Sequence, residues 1–296
     1  MQRTTSAPKP DKDRKITFYT KESIHCPICD AAFKREELFT GRLNVDELTD
    51  ELHRQYKPKQ AFGEVYPLIY EVDVCPHCYY AAYRGDFLPG GKAAATAISD
   101  DFEHRVNSVS KLFDAIDFQG PRRLPEGLAS YFLALQCYQF MGKEYAPAIK
   151  SALSAVRAAW LCKDLHKRKP TENWDYLATL FYRKARYFYK LALEKEASGK
   201  EAYSMVRNLG PDTDKNYGHE GVLYMTYMLE LKYGPTDKRE YREKLLNAGK
   251  NAIARMFGVG KKTKSKPGPL LDKARELYDK LKAELRDAAD DEEDED

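Results

Sequence analysis

Two short runs carry the residues best suited to chemistry: Cys26-Pro27-Ile28-Cys29 and Cys75-Pro76-His77-Cys78. Each places two thiols three positions apart at a proline-containing turn, so four sulfurs from two distant pieces of chain can converge on one ion. Four thiolates with no added carboxylate favour tetrahedral Zn²⁺, and a site filled by four protein ligands is structural, since it leaves no position open for substrate. The expected ligands are Cys26, Cys29, Cys75 and Cys78, holding one structural Zn²⁺. His25 and His77 flank the thiols but are surplus to a filled site. Cys-Pro-His-Cys is also a sequence used by oxidising thiol–disulfide proteins, in which a stabilised thiolate attacks a disulfide. That reading needs a βαβ context, which is not found here.

Strands must deliver the two knuckles. Ile16, Phe18 and Thr20 alternate with polar neighbours ahead of the first, and Leu68, Tyr70, Val72 and Val74 alternate ahead of the second. DAAFKREELF after Cys29 reads as a return strand. The 45 residues between the pairs exceed the roughly 15–20 of a minimal ribbon. Within them Asn44 and Glu47 resemble a capping box, and Val45, Leu48, Leu52 and Tyr56 form one face, predicting a helical insert at about 44–56.

Behind this unit the period changes from two to between three and four. Ile98, Phe102, Val106, Val109, Phe113 and Ile116 predict one long connecting helix over 91–119, ending at Gly120-Pro121. Helices are then expected at about 126–141, 144–166, 172–198, 219–233, 238–257 and 269–286. Ala148-Ala152-Ala155, Ala185-Tyr189-Ala192 and Ala274-Tyr278-Leu281 place small residues where a second helix can lie close, as in tetratricopeptide repeats. The spacing is uneven, so an ordinary helical bundle is the alternative. The fold class is therefore mainly α: a tetratricopeptide-like array with a small N-terminal β zinc-ribbon unit. Its parts are a disordered arm (1–14), the ribbon-like domain (15–90), the connecting helix (91–119), the helical domain (120–286) and an acidic disordered tail (287–296).

The net charge is +3, but the last ten residues, DAADDEEDED, hold eight acids, leaving about +11 on the rest. Basic clusters at Arg122-Arg123, Lys167-Arg168-Lys169 and Lys261-Lys262-x-Lys264-x-Lys266 would suit nucleic acid if they converged. The polar start MQRTTSAPKPDKDRK and the lack of a long apolar run predict a cytoplasmic protein without a membrane segment. Cys137 and Cys162 fall in apolar helical patterns and read as core residues. No HExxH, GxGxxG, phosphate loop or nucleophile elbow occurs, so an enzyme is not expected and no small-molecule substrate is evident. Asp212-x-Asp214-x-Asn216 opens like an EF-hand loop, but Tyr217 replaces the turn glycine and Leu223 the bidentate glutamate.

The two CPxC runs, Tyr66-Pro67-Leu68-Ile69-Tyr70, the CPHCYYAA stretch at 75–82, the helix around Val156-Arg157-Ala158-Ala159-Trp160-Leu161 and the stretch 209–218 together resemble an uncharacterised bacterial family of the DUF2225 type. The resemblance spans about residues 16–257 and implies a zinc-ribbon-like segment followed by tetratricopeptide-like helices, with no established activity. It makes the 209–218 loop a candidate partner contact through Asp212, Asp214, Asn216 and Tyr217. The chain departs from the family pattern where a glycine follows the second knuckle: Tyr79 stands there, and Asp30 follows the first. Asp tolerates a left-handed backbone and Tyr does so poorly, which predicts a distorted second knuckle. The functional expectation is a non-enzymatic adaptor that binds a protein partner through its helical groove. Nucleic-acid binding and a thiol sensor that releases zinc on oxidation are the alternatives.

Overall fold

Short strands at the N-terminal end turn back in pairs, four times. In the computed structural model, which describes residues 16–258 and 268–293, β1 (Thr17–Tyr19), β2 (Ile24–His25), β3 (Ala32–Phe33) and β4 (Glu36–Leu38) nest as two antiparallel pairs, β1 with β4 and β2 with β3. β5 (Val45–Leu48) pairs with β6 (Arg54–Tyr56), and β7 (Val72–Val74) with β8 (Ala81–Tyr83). Strand β7 starts later than the alternation predicts, because Pro67–Tyr70 forms a 3₁₀ turn.

The insert is a β-hairpin; the helix expected over 44–56 is not formed. Val45, meant for the apolar face of that helix, is 60% exposed. The Thr49 hydroxyl accepts the N–H groups of Glu51 and His53, and Leu52 sits fully buried with φ +55°, a combination that fixes a tight turn. A helix this short is marginal alone. The contacts of the hairpin tip with the distant helices decide the outcome.

The connecting helix also breaks, into α1 (Arg84–Ala93), α2 (Ala95–Asp100) and α3 (Phe102–Leu112). At the second break stands Arg105, which the apolar periodicity passes over. It is fully buried, donating from Nη1 to the Ile98 carbonyl and from Nη2 to the Cys78 carbonyl. Phe102, assigned by pattern to the buried face, is 40% exposed.

Six further helices follow close to the expected places: α4 (Leu124–Tyr138), α5 (Pro147–Arg168), α6 (Trp174–Ala197), α7 (Gly218–Tyr233), α8 (Arg239–Gly258) and α9 (Gly268–Glu293). Proline opens α4 and α5, where a missing N–H costs nothing, and Arg123 with Glu126 closes a capping box on α4. Sequential helices pack on one another, α5 against both α4 and α6. Ala148, Ala152, Ala155, Ala185, Tyr189, Ala192, Ala274 and Leu281 all lie inside. The chain is thus mainly helical with small N-terminal strands. Strands β7 and β8 are buried at every position and lie on α4, so strands and helices share one core.

Helix α9 continues to Glu293, so residues 287–293 of the acidic segment are helical where a disordered tail is expected. The arm at 1–14 and the lysines at 261–266 lie outside the described residues. No helix of the described residues is long and apolar enough to cross a membrane.

Candidate metal centre

Each knuckle is a turn closed by the backbone. In the first, the Asp30 N–H bonds the Cys26 carbonyl at 2.9 Å, the Cys26 N–H bonds Ala31 O at 3.0 Å, and the Ile28 N–H points at Cys26 Sγ at 3.4 Å. The second repeats the frame: Tyr79 N–H to Cys75 O at 3.0 Å and Cys75 N–H to Tyr80 O at 2.9 Å. Both turns need a left-handed residue after the second cysteine, and both have one, Asp30 at φ +60° and Tyr79 at φ +56°. The expected distortion of the second knuckle is therefore absent. Tyr79 adopts the disfavoured conformation, at a cost of about 1–2 kcal/mol, and its ring packs edge-on against Phe118 at 5.5 Å.

The turns bring all four cysteines together. Cys26 Sγ lies 3.6 Å from Cys78 Sγ, Cys29 Sγ 3.5 Å from Cys75 Sγ, and all four sulfurs fall within 4.8 Å of one another. These separations are far too long for disulfides. They bracket the edge of about 3.8 Å expected for a tetrahedron with metal–sulfur bonds of about 2.3 Å. The donor set is all sulfur, so the residues fit a zinc-type ion and could hold one. Hydrogen bonds from Cys75 and then Cys78 hold the Cys26 thiol down to about 4, while its bonds to Cys26 and Cys75 push Cys78 up. The Cys26 thiolate thus favours the proton on Cys78, which a divalent cation bound by the four sulfurs would displace. Cys26, Cys75 and Cys78 are buried and Cys29 is exposed.

Supporting contacts hold the knuckles from behind. Arg105 grips the Cys78 carbonyl at 3.1 Å. Pro27 of the first knuckle rests against Gly91 of α1 so closely that a Cβ there would meet Pro27 Cγ at 2.4 Å. His25 and His77 stay outside the cluster and exposed, with His25 Nδ1 3.2 Å from both the backbone and the side-chain oxygen of Asp30. Cys137 and Cys162 are core residues with no exposure; burial pushes both thiols up, Cys137 to about 12.

The loop expected to contact a partner faces largely inward. Asp212 is fully buried: its Oδ2 lies 2.6 Å from His53 Nδ1 and accepts the Arg54 N–H at 2.9 Å. Burial alone would raise its carboxyl, but the His53 contact and the backbone donors bring the balance below the usual range. Tyr217 is 2% exposed, so neither it nor Asp212 offers a surface. Asp214, which accepts from Arg54 Nε at 2.9 Å, and Asn216, whose Oδ1 accepts from Leu209 and Gly218, remain at the surface. The group clamps the β5–β6 hairpin to the helical body.

The same hairpin carries residues that sequence reasoning missed. Glu51, at its tip, accepts from Trp160 Nε1 at 2.5 Å and Tyr182 OH at 2.6 Å, with Lys163 and Lys232 at 3.4 and 3.6 Å. Asp50 pairs with Lys273 and Lys280 of α9 at 2.8 and 2.9 Å. Of the basic clusters, half-buried Arg122 donates to the Ile69 and Val72 carbonyls. Arg123, Lys167, Arg168 and Lys169 pair with Glu126, Asp164, Glu64 and Glu172. Arg123 and Lys169 nevertheless line one cleft, together with Lys111.

Residues 19–281 match the family described as "Uncharacterized protein conserved in bacteria (DUF2225)". A relative from Borreliella burgdorferi (strain B31), named "Uncharacterized protein", is 42% identical over 278 residues, covering 92% of this chain and 99% of the relative. No solved structure matches. The chain belongs to this bacterial family.

Proposed function

We propose that this family member is a non-enzymatic, zinc-stabilised adaptor whose ribbon fixes the N-terminal unit while the helical body takes a protein partner. The observation that carries the reading is the set of four converging sulfurs, which would fill a tetrahedral ion with protein ligands and leave it no coordination site for catalysis. The body is read as a tetratricopeptide-like array, supported by sequential helix packing and by the buried small residues of α5 and α6. Nucleic-acid binding draws no comparable support, since the described basic clusters are paired internally. The thiol-sensor reading is favoured by one feature, the exposure of Cys29 beside three buried ligands.

Elemental analysis of untagged protein, paired with a free-thiol count before and after chelation, tests the metal. One zinc per chain, with four thiols released only by chelation, is the expected result. Metal-free protein with a disulfide inside either CPxC overturns the structural role and leaves redox exchange. Retention on a polyanion resin that falls steeply with salt would replace the protein partner by nucleic acid.

A further inference from the structure

Two clefts of about 290 and 370 Å³ lie side by side along α5, and the His53 ring lines both. Its Nδ1 faces the fully buried Asp212 carboxylate at 2.6 Å, and the ring stacks on Trp160 with centroids 4.1 Å apart. Asp212 Oδ2 also accepts the Arg54 N–H, so the carboxylate acts as an acceptor and Nδ1 carries the ring proton. The other nitrogen, Nε2, therefore holds a lone pair. No described residue bonds Nε2, and the side chain keeps 17% of its surface in solvent. Holding the hairpin to the helical body uses only the Nδ1 side of the ring.

An imidazole fixed by a buried carboxylate, with its second nitrogen free in a cleft, is an activated nucleophile: the carboxylate stabilises the positive charge the ring gains on attack. The surroundings select the electrophile. Lys163, Lys167 and Arg168 of α5 line the two clefts. Each has a carboxylate partner, Glu51, Asp164 and Glu64 in turn, but the three cations are 48, 70 and 49% exposed. Exposed pairs of this kind are worth about 0–1 kcal/mol, so the cations can exchange their carboxylates for phosphoryl oxygens at little cost.

We propose that His53 is a phosphoryl-acceptor site, Nε2 taking the phosphoryl group of an acyl phosphate. The Nε2 lone pair attacks phosphorus; the P–N bond forms, the P–O bond to the acyl group breaks, and the carboxylate leaves with the electron pair. The Nδ1 proton stays toward Asp212, whose negative charge balances the charge on the ring. The site lies apart from the four cysteines and does not depend on the adaptor reading.

The test incubates the full-length protein with acetyl phosphate and follows labelling by phosphorus NMR, with tandem mass spectrometry locating the group. One phosphoryl group per chain is expected, on Nε2 of His53. His25, His77 and His104 are more exposed and serve as the internal comparison, because a rate set by access alone labels them first. His53→Gln keeps an N–H for Asp212, so the clamp is retained while the signal should vanish. Asp212→Asn can turn its amide N–H toward Nδ1 and move the ring proton onto Nε2, which should slow labelling by roughly a hundredfold or more. Lys167→Ala, at the surface, should slow it severalfold without touching the clamp. No label on His53, labelling of the exposed histidines at an equal or higher rate, or a rate unchanged in Asp212→Asn would each overturn the assignment.

Discussion

The carboxylate of Glu51 accepts a 2.5 Å hydrogen bond from the indole nitrogen of Trp160, tying a hairpin tip of the ribbon to the middle of α5 across 109 residues of chain. The same carboxylate takes the Tyr182 hydroxyl and sits beside two lysines, so removing it strands several polar groups together. Glu51→Ala should cost about 3–5 kcal/mol, the range for breaking a buried charged network. Glu51→Gln, which can still accept from Trp160 and Tyr182, should cost clearly less. Urea titration followed by Trp fluorescence measures both. Equal, small losses would mean that the tip contributes little to joining the two units.

Acid should loosen this seam first. Burial would raise the Glu51 carboxyl, but Lys163, Tyr182, Lys232 and Trp160 outweigh it, and the group titrates below its ordinary 4.5. Asp50, bonded by Lys273 and Lys280, is held down to about 2, and Asp212 is lowered from 3.8. For a carboxyl lowered on folding, the unfolded state binds the proton first. Its stabilisation is fully present above the unfolded value and is lost as pH falls through the folded one. Asp73 and Glu71 are raised by burial and act with the opposite sign, so their burial becomes less costly in acid. Stability should therefore decline between about pH 4.5 and 2, with Trp fluorescence leading the loss of helical circular dichroism. The decline should be shallower in Glu51→Gln.

Tyr79 separates a backbone cost from a packing gain. At φ +56° a side chain costs about 1–2 kcal/mol that glycine would not pay, but its ring lies against Phe118. Tyr79→Gly should remove both and come out within about 1 kcal/mol of the parent. Tyr79→Ala keeps the cost and loses the ring, and should be destabilised by about 1–3 kcal/mol. Chemical denaturation of the metallated protein distinguishes them; Ala equal to Gly would show that the backbone conformation carries no cost here.

The parts legible in the sequence were those written in local terms. The CPxC pairs announce their geometry through spacing, and helices from α4 onward announce themselves through apolar period, with Gly and Pro marking their ends. What stayed hidden depends on partners far along the chain. The 44–56 insert has a helical pattern, yet Thr49 turns it and Glu51, Asp50 and His53 reach α5, α7, α9 and the 212 loop. Arg105 lies outside the apolar pattern of its segment but is buried under the second knuckle. Asp212 resembles a ligand because its neighbours alternate as acids; its real partners, His53 and Arg54, lie about 159 residues earlier. Nothing in one sequence encodes such pairings locally.

A final prediction links helix packing to the metal. Gly91 lies in α1, where a Cβ would come within 2.4 Å of Pro27 Cγ and 2.9 Å of the Tyr80 ring. Pro27 belongs to the first knuckle and Tyr80 follows the second, so an added methyl pushes on both turns without touching a sulfur. Overpacking of this kind costs about 1–3 kcal/mol, and the cheapest relief is to spread the knuckles, which lengthens the distances among the four sulfurs. Gly91→Ala should therefore weaken zinc binding by roughly five- to a hundredfold, following from that energy at 1.4 kcal/mol per factor of ten, with all four cysteines intact. Gly85→Ala is the control: it sits on the same helix with nothing within 4 Å, and should leave affinity unchanged. Competition against a chromophoric chelator reads both variants. Equal affinities would show that the knuckles do not depend on the close approach of α1.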